Sequence, residues 1–432
     1  MSEKRSKTFS YAIGMFGTSI PINMLKTYAA VFYVDLLGMS TVQLAQILFI
    51  YTFIDAIDNP VYGYLSDRTH SKWGRRRPWL VISTPLLVLC LIAFYNPPAQ
   101  SSGNELFMYC LVFYILTGTI DSIINANYAA LFPELFTTDE SRAKTNAMRQ
   151  AFQLVAMIIS IALTPVVTNA IGYSKTSIIY GILGGIVIMY MSLSCKDAGI
   201  QPDEEQPKLW DSLKSLFINK KFWIAGFANA FYSAAVSLVL AAVPFFAKYT
   251  LGISAGQQTL LFGSVLLVAI GCVSIWAKMV KKYSVIPVWR AALLVLAVAF
   301  IPMYFANSLT SAIISGALVG FGISGVIVTM DLIGAKIIDE DRLKYNVRRE
   351  GIISNALGFM NRLNGLFTSF AFYLVFVLFG FESGDNPGAA PDSAARFLLT
   401  VFPFILMVIS FIFSFFIDFN KTKNDKEPIS VN

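Results

Sequence analysis

The sequence predicts an all-α membrane protein with twelve transmembrane helices in two six-helix bundles and both termini in the cytoplasm. Composition, the placement of basic residues and an internal repeat support this. Of the 432 residues, 56% are hydrophobic and only 14% are charged. Soluble domains carry about 25% charged residues, and a compact fold cannot hide this much apolar surface from water. A helix that crosses a bilayer needs about 20 apolar residues. Such runs cover 10–37, 41–66, 78–96, 105–134, 146–171 and 174–195, then 222–248, 256–279, 285–306, 309–336, 350–381 and 395–419.

Of the 33 Lys and Arg, 28 fall at the N-terminus, after the even-numbered runs, or in the tail. The opposite loops hold only Lys175, Lys248 and Arg396, while Lys26 and Arg362 lie inside runs. Positive residues collect on the cytoplasmic side, so the helix count is even and both ends are inside. The net charge of +7 therefore reflects orientation. Spread over seven short segments, the basic residues do not form a nucleic-acid surface. The opening MSEKRSK precedes a long apolar run with no small-residue cleavage site, so the first helix is retained.

Cys90, Cys110, Cys195 and Cys272 show no CxxC spacing and read as small apolar residues. With His70 as the single histidine, the chain offers no metal cluster and no triad. An enzyme is not expected.

The polar stretch Lys196–Lys221 divides the chain into bundles at 1–195 and 222–419, with a cytoplasmic connector at 196–221 and a tail at 420–432. A repeat supports the division. Asp139-Glu140-x-Arg142-x-Lys144-x-Asn146-x-x-Arg149 returns as Asp339-Glu340-x-Arg342-x-Lys344-x-Asn346-x-x-Arg349, leading into helices 5 and 11.

An ionisable side chain near mid-membrane costs on the order of 2.5–3.5 kcal/mol, which makes each one a functional candidate. Lys26, Asp55, Asp58, Asp121, Arg149, Asp331 and Arg362 qualify. Asp55, Asp58 and Asn59 share one face of helix 2 at i, i+3 and i+4. Asp121 and Asn125 share a face of helix 4. Ser19, Asn23 and Lys26 form a stripe on helix 1. These three polar stripes outline a cavity in the first bundle.

The helix 2–3 segment reads Asp55-Ala-Ile-Asp58-Asn59-Pro60-Val-Tyr-Gly63-Tyr-Leu-Ser-Asp67-Arg68-Thr-His-Ser-Lys72-Trp73-Gly74-Arg75-Arg76-Arg77-Pro78-Trp79. It resembles the signature of the glycoside–pentoside–hexuronide:cation symporters, the melibiose permease family of the major facilitators. The segment around Asp339–Gly351 is similar to that family's helix 10–11 loop. The resemblance implies the major facilitator fold in a cell membrane, a small-molecule sugar carried by alternating access, no cofactor, and H+ or Na+ as coupling ion. Surrounding lipids are the other partners, and no obligate protein partner is implied.

By position, the resemblance assigns coupling to Asp55, Asp58, Asn59 and Asn125, with the second acid moved one place to Asp58. The polar stripes and the resemblance together give the candidate sugar contacts as Ser19, Asn23, Lys26, Asp121, Asn125, Tyr128, Arg149 and Arg362. Ser19 replaces the helix 1 acid and Asn125 the helix 4 acid. Arg362 matches the helix 11 lysine and Arg149 the helix 5 arginine, while the helix 4 aromatic is lost at Ala129. Gly63, Asp67, Arg68, Gly74, Arg75, Arg142, Arg342 and Arg349 fall to a cytoplasmic gate that pairs in one state and parts in the other; part of the arginine run anchors at anionic lipid.

A sodium site wants several hard oxygen ligands, and amides or hydroxyls stand at two of the family's acidic positions. Lys26 is therefore a candidate tethered cation, which would make the chain a uniporter or a proton-coupled carrier. Arg149 and Arg362 also suit an acidic sugar, and a lysolipid is a further option. A channel or a non-transporting sensor remains from a different class. The paired charges argue against an open pore, and the short tail NKTKNDKEPISVN against a sensor domain.

Overall fold

The computed structural model describes residues 8–67, 69, 71–99, 101–136, 139–195, 220–345 and 357–417. All of its regular structure is helical. Helix α1 is Gly14–Ala30 and runs on as a π-helical turn, Val31–Leu36; α2 is Thr41–Asp67, α3 Arg77–Phe94 and α4 Gly103–Leu135. Helix α5 is Asp139–Met157 with a π turn at Ile158–Ala162, and α6 is Thr164–Ser194. Helix α7 is Lys220–Phe245 with a π turn at Phe246–Leu251, followed by α8 Ala255–Tyr283, α9 Val285–Tyr304, α10 Leu309–Tyr345 and α11 Asn364–Phe379. Helix α12 comprises Pro391–Arg396, a π turn Phe397–Val401 and Phe402–Ser414.

Ten of these elements are long and apolar enough to cross a membrane. The two that fall short are α1, which carries the polar stripe, and α5, whose apolar part is Met148–Ala162. The expected boundary at 172–173 coincides with Gly172, where φ 80° and ψ 163° break α6. One expectation needs correcting. The first copy of the repeated motif opens α5, whereas the described part of the second, 339–345, belongs to α10, which continues past 336 to Tyr345; the remainder of that copy lies outside the described residues.

Helices α1 to α6 pack among themselves, mainly α3 on α4 and α6, α2 on α4, and α1 on α5 and α6. Helices α7 to α12 do the same, with α10 against α8 and α9, and α12 against α7 and α9. The seam between the groups is made chiefly by α2 against α11.

A second internal likeness emerges at the corners after the first helix of each group. Leu37-Gly38-Met39-Ser40-x-x-Gln43 and Leu251-Gly252-Ile253-Ser254-x-x-Gln257 each follow a π turn. Both glycines are left-handed, with φ of 71° and 60°, a region a side chain would strain. The Ser40 and Ser254 amides each donate to the glutamine side chain three residues on, at 3.2 and 2.9 Å, which fixes the start of the next helix.

Those corners meet at one end of the seam. The Lys248 ammonium lies 2.8 Å from each Asp35 carboxylate oxygen, and the Tyr249 hydroxyl donates to the same carboxylate. Nearby, Thr41 donates through its amide to the Glu382 carbonyl (2.7 Å) and through its hydroxyl to the Phe381 carbonyl (2.8 Å). The Gly384 amide donates to the Val34 carbonyl at 2.8 Å. Deeper in, Ser369 donates to the Ala45 carbonyl at 2.6 Å. At Gly365 the helices touch so closely that a Cβ would overlap the Thr52 hydroxyl. This rim of the seam is closed.

Candidate functional site

Asp55 lies 14 residues beyond Thr41, about 21 Å along α2 at 1.5 Å per residue, near the middle of the helix. Helical spacing puts Asp58 on the same face. The matching face of α4 carries Thr119 and Ser122, also at i and i+3. Thr119 donates to Asp58 at 2.8 Å, and Ser122 to Asp55 at 3.2 Å. Tyr51, one turn earlier on α2, donates to the same Asp55 oxygen at 3.2 Å. Both carboxylates are buried, 9% and 8% exposed, so these bonds form where water offers little competition.

The remaining bonds to Asp55 come from the other half of the protein. Arg362, just before the break in α11 at Leu363, forms an ion pair with the Asp55 carboxylate and donates to the Asp55 backbone carbonyl at 2.7 Å. This contact joins residues 307 positions apart. The expectation that Lys26 serves as the fixed cation is refined here, because the cation on Asp55 is Arg362.

Lys26 has a different setting. It is exposed and closes no hydrogen bond or ion pair among the described residues, although its charge acts on Asp121. Asp121 is 8% exposed, and its Oδ1 has no hydrogen-bond partner. The Asn125 amide donates to the Asp121 backbone carbonyl at 3.1 Å. On α1, Asn23 donates to Ser160 at 3.2 Å, and Ser19 is buried. An unbonded carboxylate oxygen and an unpaired ammonium thus lie within electrostatic reach of one another on the polar stripes. An arrangement of this kind suits a ligand that donates hydrogen bonds on one side and accepts them on the other.

Arg149 and Tyr128 belong to another cluster. The Arg149 guanidinium lies 5.1 to 5.7 Å from the ring centres of Tyr128, Phe132 and Tyr11, within cation–π range. Tyr11 and Tyr128 stack at 4.6 Å, and each hydroxyl donates to the other's backbone carbonyl, at 2.8 and 3.0 Å. Tyr128 is 1% exposed, and Asn127, also fully buried, bonds the Ile123 carbonyl. Both side chains are committed to packing in this conformation.

A family match bears on this geometry. Residues 10–421 match the family described as MFS/sugar transport protein. The chain belongs to this family. It is a multi-pass membrane transporter and not an enzyme. The isoprimeverose transporter of Lactiplantibacillus pentosus is 25% identical over 372 residues, 82% of this chain and 76% of that protein. A putative sulfoquinovose importer of Escherichia coli is 22% identical over 422 residues, 93% of this chain and 88% of that one. Among solved structures, an inward-facing, unoccupied bacterial homologue of the human lysosomal transporter Spinster aligns with a TM-score of 0.71 at 13% identity, covering 96% of each chain. That likeness shows the fold.

Within the family's helix 2–3 signature, Gly74 takes a positive φ of 98°, which lets the loop turn. Arg76 is 6% exposed and donates to the Ser66 hydroxyl at 2.5 Å, and Arg77 bonds the Ser192 and Leu193 carbonyls at the end of α6. Part of the arginine run thus staples the loop to two helix ends. Arg75 is half-buried beside them. Gly63, Asp67, Arg142 and Arg342 lie on helices, but the placement of their side chains, like that of Asn59, lies outside the described part, as do Arg68 and Arg349 entirely.

Sequence reasoning missed the Asp35–Lys248–Tyr249 contact. The signal that could have found it was the Leu-Gly-x-Ser-x-x-Gln repeat flanking it.

Proposed function

We propose that the protein carries a sugar across the cell membrane by alternating access, as twelve spans with both termini in the cytoplasm and no bound cofactor. The observation that carries this is the group of hydrogen-bonding and charged side chains at mid-height of α1, α2 and α4, set in an otherwise apolar bundle. The family and the named relatives supply the substrate class. The bundles would divide at 1–195 and 222–419, with 196–221 as connector and 420–432 as tail. With that orientation the closed rim faces outward, and the conformation is inward-facing. Sugar would enter between Ser19, Asn23 and Lys26 on α1 and Asp121 and Asn125 on α4, where the unbonded Asp121 oxygen accepts a hydroxyl. Lipids surround the single chain, and no partner protein is required.

The unpaired Lys26 favours a second reading within the same class, an acidic sugar whose carboxylate or sulfonate meets that ammonium. The sulfoquinovose importer's similarity points the same way.

Thermal unfolding of the detergent-purified protein with isoprimeverose, lactose, glucuronate and sulfoquinovose tests both. A ligand bound to the folded state at a hundredfold excess over its dissociation constant adds about 2.7 kcal/mol. Stabilisation by the neutral sugars supports the first reading, and stabilisation by the acidic pair alone supports the second. If lysolipid stabilises and none of the sugars does, the sugar assignment falls.

A further inference from the structure

The family resemblance implies a mobile coupling cation held by carboxylates of α2 and α4, and the residues present do not fit one. One oxygen of Asp55, Oδ1, takes three donors, from Arg362, Tyr51 and Ser122. Asp58 is bonded by Thr119. The Asn125 amide nitrogen is turned to a backbone carbonyl, and the unbonded Asp121 oxygen already has the positive charge of Lys26 acting on it. Among the described residues no group of three or more His, Cys, Asp or Glu could hold a metal. A sodium ion needs several oxygen lone pairs converging on one point, whereas here N–H and O–H groups converge on a carboxylate. The charge a cation would bring is already in place, on a guanidinium fixed to the chain.

We infer that Arg362 is a tethered counter-cation for Asp55 and that transport by this chain does not depend on sodium. A guanidinium suits this position better than an ammonium. One of its terminal nitrogens reaches both the Asp55 side chain and the Asp55 backbone carbonyl, and the group stays charged at any physiological pH. Because Arg362 sits on the helical stretch 357–362 that leads into α11 and Asp55 on α2, the pair also fastens the two halves at mid-height in this conformation. A mobile ion contributes to such a seam only while bound, but a tethered one contributes in every cycle. The inference rests on the sugar-carrier reading for its transport consequence, and its ion-binding consequence stands apart from any sugar.

The test is made in two parts on the full-length protein. In proteoliposomes, uptake of labelled isoprimeverose and sulfoquinovose is compared in sodium and in choline. The wild type should give equal rates within about twofold in both media, and Arg362→Lys should remain sodium-independent. Arg362→Gln should lose most uptake in choline and regain at least about tenfold in sodium, since a free ion can then take the vacated position. Wild-type uptake that rises tenfold or more with sodium, or an Arg362→Gln variant that transports at the full rate in choline, overturns the inference. Equilibrium binding of radioactive sodium to the purified wild type serves as the second part. It should be absent, and saturable sodium binding overturns the inference even when no sugar is carried or Arg362→Gln does not fold. Failure of every sugar with sodium binding still absent counts against the sugar reading alone.

Discussion

Among the described residues two ion pairs fasten the halves of this protein, and they differ in almost every respect that sets strength. In the Asp55–Arg362 pair the side chains are 12% and 23% exposed, and Tyr51 and Ser122 donate to the same carboxylate. The Asp35–Lys248 pair lies at the closed rim, where the lysine is 50% exposed although the carboxylate is only 5% exposed. Removing one partner of a buried pair strands a charge in a poor solvent, while a half-exposed ammonium simply returns to water. The mid-height pair therefore belongs to the electrostatics of the candidate site, and the rim pair is a light catch.

The largest effect should come from breaking the inner pair. Asp55→Asn leaves the Arg362 charge uncompensated, at a cost of about 3–5 kcal/mol, seen as a large fall in the melting temperature of the purified carrier and loss of uptake. Adding Arg362→Gln should recover part of that stability but not the transport; equal melting temperatures for the single and double variants would mean the pair holds nothing.

Asp121→Asn comes next. Replacing the unbonded carboxylate should weaken sugar binding about ten- to a hundredfold, the worth of a hydrogen bond to a charged group, with little change in the melting temperature of the free protein. Unchanged affinity would move the sugar away from α4.

At the rim, Asp35→Asn, which leaves only the half-exposed ammonium behind, should cost no more than about 1 kcal/mol, read as amide exchange in 34–41 and 381–384 that quickens by less than about fivefold. A change as large as that of Asp55→Asn would erase the distinction between the two pairs. Smallest is Tyr11→Phe, which removes one bond to the Tyr128 carbonyl and should lower stability by about 0.5–1.5 kcal/mol while leaving uptake intact, as expected if the aromatic cluster around Arg149 serves packing.

Much of this was legible from periodicity. Spacings of three and four placed Asp55 beside Asp58 and Asp121 beside Asn125 correctly, because residues on one helix are held by local geometry. The choice between Lys26 and Arg362 as partner of Asp55 was not legible. That choice depends on how α11 leans on α2, a matter of packing between segments 307 residues apart. Tyr128 misled for a related reason. Helical spacing locates a side chain on a face but does not say whether that face meets a cavity or, as here, the stacked ring of Tyr11. The end of α10 was misplaced because its last turns are polar, and a hydropathy pattern stops where the apolar residues stop, even though the helical hydrogen bonds continue.

The exposed lysine of the rim pair has an ecological consequence. Charges open to solvent are screened as salt rises, with the Debye length shrinking from about 30 Å at 0.01 M to about 8 Å at 0.15 M. In the proposed orientation, fresh water would tighten the catch and brackish water would loosen it, while the inner pair, out of reach of those ions, would stay as it is. Salinity would then shift the resting balance of the carrier without sugar by no more than the roughly 1 kcal/mol such a pair is worth.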